Sequence, residues 1–123
     1  MKILDANMIL RFLLRDNIEM SNTAKTIIEN NVVMITNEVI AEVVYVLSKV
    51  YHLERTVIAS SLLQFLNIRH IAPTEANVLK NGIQLYGEYN LDFVDCLMCA
   101  YHMTYGYEVC TFDKKLLKLI QKI

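Results

Sequence analysis

Along this chain short apolar runs alternate with longer segments whose apolar residues recur at helical spacing, and that alternation is what most restricts the fold. Residues 2 to 5 read as a short buried strand and Met8 to Leu14 as the helix leaving it. A second helix, capped by Asn17 or Ser21, runs through Asn30 with Met20, Ala24, Ile27 and Ile28 inward. Val32 to Ile35 predicts the next strand. Thr36 then caps a helix from Asn37 to about Val50, in which Val39, Ile40, Val43, Val44, Val46 and Leu47 cover nearly every face, marking it as central. Glu54 to Leu66 is helical, Ile68 to Ala72 is a strand ended by Pro73, and Thr74 caps a helix that Gly87 stops. Asp92 opens a helix to about Thr104, Gly106 breaks it, Glu108 to Cys110 is a strand, and Lys114 to Lys122 is the last helix. The expected architecture is α/β, a three-layer α/β/α sandwich with a central parallel sheet of about four strands.

The 123 residues suit one domain, residues 1–123, with 54% hydrophobic and 20% charged residues arguing against disorder. Asp5, Asn7 and Arg11 interrupt the apolar start, so it does not read as a signal peptide, and no stretch is long and apolar enough to span a bilayer. Three cysteines, Cys96, Cys99 and Cys110, are an odd count that argues for reduced thiols and a cytoplasmic home. Cys96 and Cys99 have the spacing of a redox or zinc pair, with His102 nearby. They fall mid-helix without a second pair, however, so buried small apolar side chains are the default reading.

Acids punctuate the predicted strand ends and helix starts. Asp5 closes the first strand, Asp92 and Asp95 open a helix, and Asp113 follows the last strand. Each has an ordinary explanation as a turn or cap residue, and Asp92 with Asp95 resembles a capping box. Glu42 is harder to dismiss. It stands in the second turn of the most apolar helix, where no cap is needed and an unpaired buried carboxylate would be costly. In an open α/β sheet these acids are expected to meet near the carboxyl ends of the strands.

Like charges that close repel unless a cation intervenes, and oxygen-only ligands favour a hard ion such as Mg²⁺ or Mn²⁺ over Zn²⁺. Such a centre suits phosphodiester hydrolysis. Asn7 and Thr111, each two residues from an acid, are positioned as hydrogen-bonding supports. The net charge of −1 does not advertise a nucleic-acid binder. Setting aside Asp5, Glu42, Asp95 and Asp113 leaves nine acids against twelve bases, a remainder of +3. Arg11 and Arg15, four apart, and Lys114 at the head of an acid-free lysine run form a modest basic rim compatible with a polyanion held against cations.

In order along the chain, Leu4-Asp5-Ala6-Asn7 with Ile9-Leu10, Glu42 within Val39 to Leu47, Asp92-Phe93-Val94-Asp95, and Thr111-Phe112-Asp113 with Lys114 resemble the PIN domain. The closest likeness is to VapC-type toxins of toxin–antitoxin pairs. The resemblance implies a Mg²⁺- or Mn²⁺-dependent ribonuclease, usually a homodimer, held inactive by a cognate antitoxin whose segment enters the active-site groove. Asp5, Glu42, Asp95 and Asp113 match the family's acidic quartet, Asp92 is an additional acid, and Asn7 and Thr111 match its polar supports. Members commonly finish with a further short strand, which is not found before Ile123. Two alternatives stand beside this. One is a PIN-like RNA- or protein-binding module without catalysis. The other is a phosphatase with Asp5 as nucleophile, although haloacid-dehalogenase-like enzymes want a second Asp where this chain has Asn7.

Overall fold

The computed structural model describes residues 1–123 and orders the elements as β1 (Lys2–Ile3), α1 (Ala6–Leu14), α2 (Ile18–Asn30), β2 (Val33–Ile35), α3 (Asn37–Lys49), α4 (Arg55–Leu66), β3 (Ile71–Pro73), α5 (Ala76–Glu88), α6 (Phe93–Tyr105) and α7 (Lys114–Lys122). The three strands form one open parallel sheet in the order β1-β2-β3. Lys2 pairs with Val33, and Val33, Met34 and Ile35 pair with Ile71, Ala72 and Pro73. Because the strands are parallel, the turns after β1 and β2, which carry Asp5 and Thr36, leave from the same edge. No helix is long and apolar enough to cross a membrane.

The α/β sandwich expected from the alternation is therefore present, with three strands where about four were predicted. The missing one is Glu108 to Cys110, which joins no ladder. Its residues follow the left-handed Gly106 (φ 74°) as coil, with Val109 half-buried against the core and Glu108 and Cys110 in solvent. A strand three residues long exists only if a neighbour accepts its hydrogen bonds, and the local pattern does not reveal whether one will. β1 is an edge of this sheet. Instead of the buried strand expected at residues 2 to 5, Ile3 is 59% exposed and only Leu4 is buried.

Helix starts follow their caps closely. Asn17 accepts the Met20 N–H at 3.0 Å, and Thr36 accepts the Val39 N–H at 3.3 Å. Several boundaries differ from expectation: α1 begins at Ala6 rather than Met8, and β3 runs Ile71–Pro73, so that Pro73 pairs with Ile35 instead of ending a strand begun at Ile68. The Thr74 N–H bonds the Ile35 carbonyl at 2.9 Å, so Thr74 prolongs the sheet and α5 begins only after Glu75. Gly87 lies inside α5 rather than ending it. A Cβ there would stand 2.8 Å from the Cβ of Ala59, so the glycine is what lets α4 and α5 pack closely.

Ordinarily Gly→Ala within a helix is stabilising. Here neither backbone can yield cheaply, and Gly87→Ala is expected to cost about 1–2 kcal/mol in a urea melt. A variant more stable than wild type would show that α4 and α5 are not held that tightly.

Below this packing lies one cluster of 29 buried residues, with Phe65, Ile9, Ile28, Ile40, Leu62 and Ile83 among its largest members. In α2 the inward residues are Ala24 and Ile28, while Met20 is 49% exposed.

Candidate active site

Two of the acids are locked at helix starts. Asp5 precedes α1 and its carboxylate accepts the Met8 N–H at 2.9 Å. Asp113 precedes α7, where one carboxylate oxygen accepts from the Lys115 and Leu116 N–H groups at 2.9 and 3.1 Å. The Thr111 hydroxyl accepts the Asp113 N–H at 3.0 Å, which steadies the turn carrying the acid. In both cases one oxygen of the carboxylate serves the cap and the other is left for a further partner.

Asp92 and Asp95 behave differently. Asp92 occupies the cap position of α6, yet its side chain makes no capping bond, so the capping box that would have explained the pair does not form. Asp95, in the first turn, is half-buried, and no Lys or Arg comes within ion-pair distance of it. Desolvation pushes its carboxyl above the ordinary value, and the negative charges of Asp113 and Asp92 push it further. Asp95 thus feels the charges of two other carboxylates, one on its own segment and one before α7, with no ion-pair partner of its own.

The start of α6 faces α3 across a cleft of about 540 Å³, lined by Ala41, Val44, Tyr45 and Lys49 on one side and Asp92, Phe93 and Asp95 on the other. Glu42 lies on that same helix but is not buried as expected. Glu38, Glu42, Tyr45 and Lys49 recur at i, i+4, i+7 and i+11 and form a solvent stripe along α3. The valines that seemed to cover every face left this stripe open, so Glu42 needs no buried partner. Asp5 lies in a separate hollow of about 390 Å³ with Asn7, Met8 and Arg11. No three acidic, histidine or cysteine side chains are placed to hold one metal ion. The chemistry of the donor set suits a hard divalent cation; Asp95 feels the charges of Asp92 and Asp113, while Asp5 lines a different hollow and Glu42 faces solvent.

Among the basic residues, Arg11 grips Asp16 with two bonds of 2.7 and 2.8 Å and also donates to the Tyr51 hydroxyl at 3.3 Å. Its charge is thereby largely engaged. Arg15 sits past the end of α1 in the left-handed region (φ 54°), so it does not share a helix face with Arg11. Lys114 is exposed at the start of α7. The two helical thiols are unreactive in character: burial pushes Cys96 up to about 12 and Cys99 upward as well, disfavouring the thiolate that zinc or disulfide exchange requires.

One residue of the site region escaped the sequence reading. Arg55, also lining the cleft, donates to the carbonyls of Tyr86, Tyr89 and Leu91 at 2.9, 2.7 and 2.6 Å, and its guanidinium lies 4.1 Å from the Tyr86 ring centroid. It ties the end of α5 to the turn that delivers Asp92. An arginine at a helix start carries no sequence signal for such a role.

Compared with known proteins, the chain matches the family model described as PIN domain over residues 2–122. No curated protein and no solved structure gave a match. A family match across nearly the whole chain, an open parallel sheet and carboxylates crowding at helix starts agree with one another, and the chain belongs to the PIN domain family.

Proposed function

We propose that this PIN domain is a Mg²⁺- or Mn²⁺-dependent endoribonuclease and that it serves as the toxin of a toxin–antitoxin pair. PIN domains are generally metal-dependent nucleases that bind RNA. The observation that carries the reading in this chain is the crowding of Asp92 and Asp113 on a partly desolvated Asp95 without a basic partner. Such a group favours proton uptake or a bound cation. Asp95 and Asp113 are the proposed core of the metal site, joined by Asp5 and Glu42, with Asp92 in support. Thr111 holds the turn of Asp113, and Asn7 shares the hollow of Asp5. A bound divalent ion would supply a polarised scissile phosphate and a more acidic attacking water. The chain would orient the strand and exclude competing water at the α3–α6 cleft.

The VapC-like role, the antitoxin partner and the homodimer rest on the ordered likeness of the four acid motifs. A binding module without catalysis is the second reading, favoured by the absence of any three ligands around one point. A single experiment separates them. Incubated with a mixed RNA pool, the purified protein is expected to cleave in Mg²⁺ or Mn²⁺ and to stop on addition of a chelator. Intact RNA under every metal condition would favour the binding module, and cleavage that persists in excess chelator would remove the metal from the proposal.

A further inference from the structure

Helix α7 divides sharply into two faces. Leu116 and Leu119 are 1% and 3% exposed and anchor it to the core. Lys114, Lys115, Lys118 and Lys122 fall within an arc of about 100° that flanks that anchor. Lys115, Lys118 and Lys122 line a hollow of about 290 Å³ with Tyr89, Asn90, Leu91 and the edge of Leu119, and no acid lies on the helix or in the hollow. Lys115 donates to the Asn90 carbonyl at 3.2 Å, and the Lys122 ammonium lies 6.0 Å from the Tyr89 ring centroid. Lys118 pairs with no acid. Four like charges on one short helix face repel each other, and a polyanion laid along them relieves that repulsion.

What lies at the two ends identifies the polyanion. The helix is capped by Asp113, which belongs to the crowded carboxylates, so the lysine row starts at the proposed cleavage site. Just before it, Phe112 is fully exposed, a bare aromatic ring beside the acid. At the far end stands Tyr89. Cations between aromatic rings are the recurring platform for single-stranded nucleic acid, phosphates on the former and bases on the latter. A membrane surface would need a broad free apolar face; on α7 Leu116 and Leu119 are in the core and Ile120 packs against it, leaving only Leu117 partly open.

We propose that this face is a track for one RNA strand leading away from the acidic cleft, with Lys115, Lys118 and Lys122 on successive phosphates and Phe112 stacking a base next to the scissile position. The proposal rests on the nuclease reading above. Lys115 to Lys122 spans roughly 10 Å, room for two to three nucleotides at the ~3.4 Å axial rise of a stacked strand.

The test is fluorescence anisotropy of a labelled single-stranded RNA 12-mer in chelator, where cleavage is suppressed, across a salt series. Lys118→Ala with Lys122→Ala is expected to weaken binding roughly tenfold and to lower the salt slope by about 1.4, the value for two lost phosphate contacts. Lys118→Glu should weaken it further. Phe112→Ala is expected to weaken binding roughly tenfold with the salt slope unaltered, as loss of stacking requires. All three positions are exposed, and a thermal melt confirms that the variants fold.

Wild-type affinity and slope in the double variant would overturn the track. So would a polyglutamate peptide that binds more tightly than RNA and depends on the same lysines, since the face would then be a protein-docking surface. The two readings fail separately. Lysine-dependent binding of RNA that wild type never cleaves in Mg²⁺ would sustain the track and sink the nuclease, whereas cleavage by wild type with undiminished binding by the double variant would do the reverse.

Discussion

Asp95→Asn is expected to abolish RNA cleavage, by at least 10³-fold in rate, while raising the melting temperature of the metal-free protein. The two effects have one cause. Burial and the charges of Asp113 and Asp92 lift the Asp95 carboxyl above its ordinary value of 3.8, so the folded chain holds the proton more tightly than the unfolded chain does. That contribution favours folding at low pH and is lost as pH rises from the ordinary value through the raised one. Near neutrality the ionised carboxylate strains the fold, and an amide of the same shape removes the charge. Divalent cation should stabilise wild type by binding only the folded state, and should do so far less in the variant. Differential scanning fluorimetry with and without Mg²⁺ or Mn²⁺, beside a cleavage assay, checks all three. A variant that is both less stable and still active would mean that Asp95 is a structural residue.

The largest stability effect is expected at Arg55. Its guanidinium satisfies three carbonyls at the end of α5 and in the following turn, at 2.6 to 2.9 Å, and lies against the Tyr86 ring. The last carbonyls of a helix have no partner within it, and donors of this kind are charge-assisted. Arg55→Ala leaves the three oxygens half-buried without a donor and is expected to cost about 3 kcal/mol, roughly 10 °C in melting temperature. Arg55→Lys should recover only part of this, because one ammonium cannot span three carbonyls as a planar fork does. Since the same turn delivers Asp92 to the cleft, cleavage should fall in both variants even where the fold survives. Chemical denaturation showing a loss under 1 kcal/mol for the alanine variant would mean that water or neighbouring donors replace the clamp.

The helices were legible because their signals are local. Asn17, Thr36 and Asp113 each bond the backbone three residues on or nearer, and the apolar repeat of α5 and α6 follows from 3.6 residues per turn. Thr74 and Gly87 were misread because their roles are set by partners elsewhere in the chain: the Ile35 carbonyl for one, the Ala59 methyl for the other. Glu42 was misplaced for a related reason. Apolar content tells how much of a helix is oily but not which stripe its neighbours leave uncovered.

Residue types along the chain were enough to establish the alternation of strands and helices, the acids at their ends and a family likeness confirmed over residues 2–122. Only the folded molecule decided that Asp95 feels the charges of Asp92 and Asp113, that Glu42 faces solvent, that Glu108 to Cys110 stays out of the sheet, and that the lysines of α7 line an open hollow. The reason is range. A cap or a helical repeat is an interaction over three or four residues, written where it acts, whereas the meeting of charges from α6 and α7, or the closing of a ladder on β1, depends on how distant segments pack.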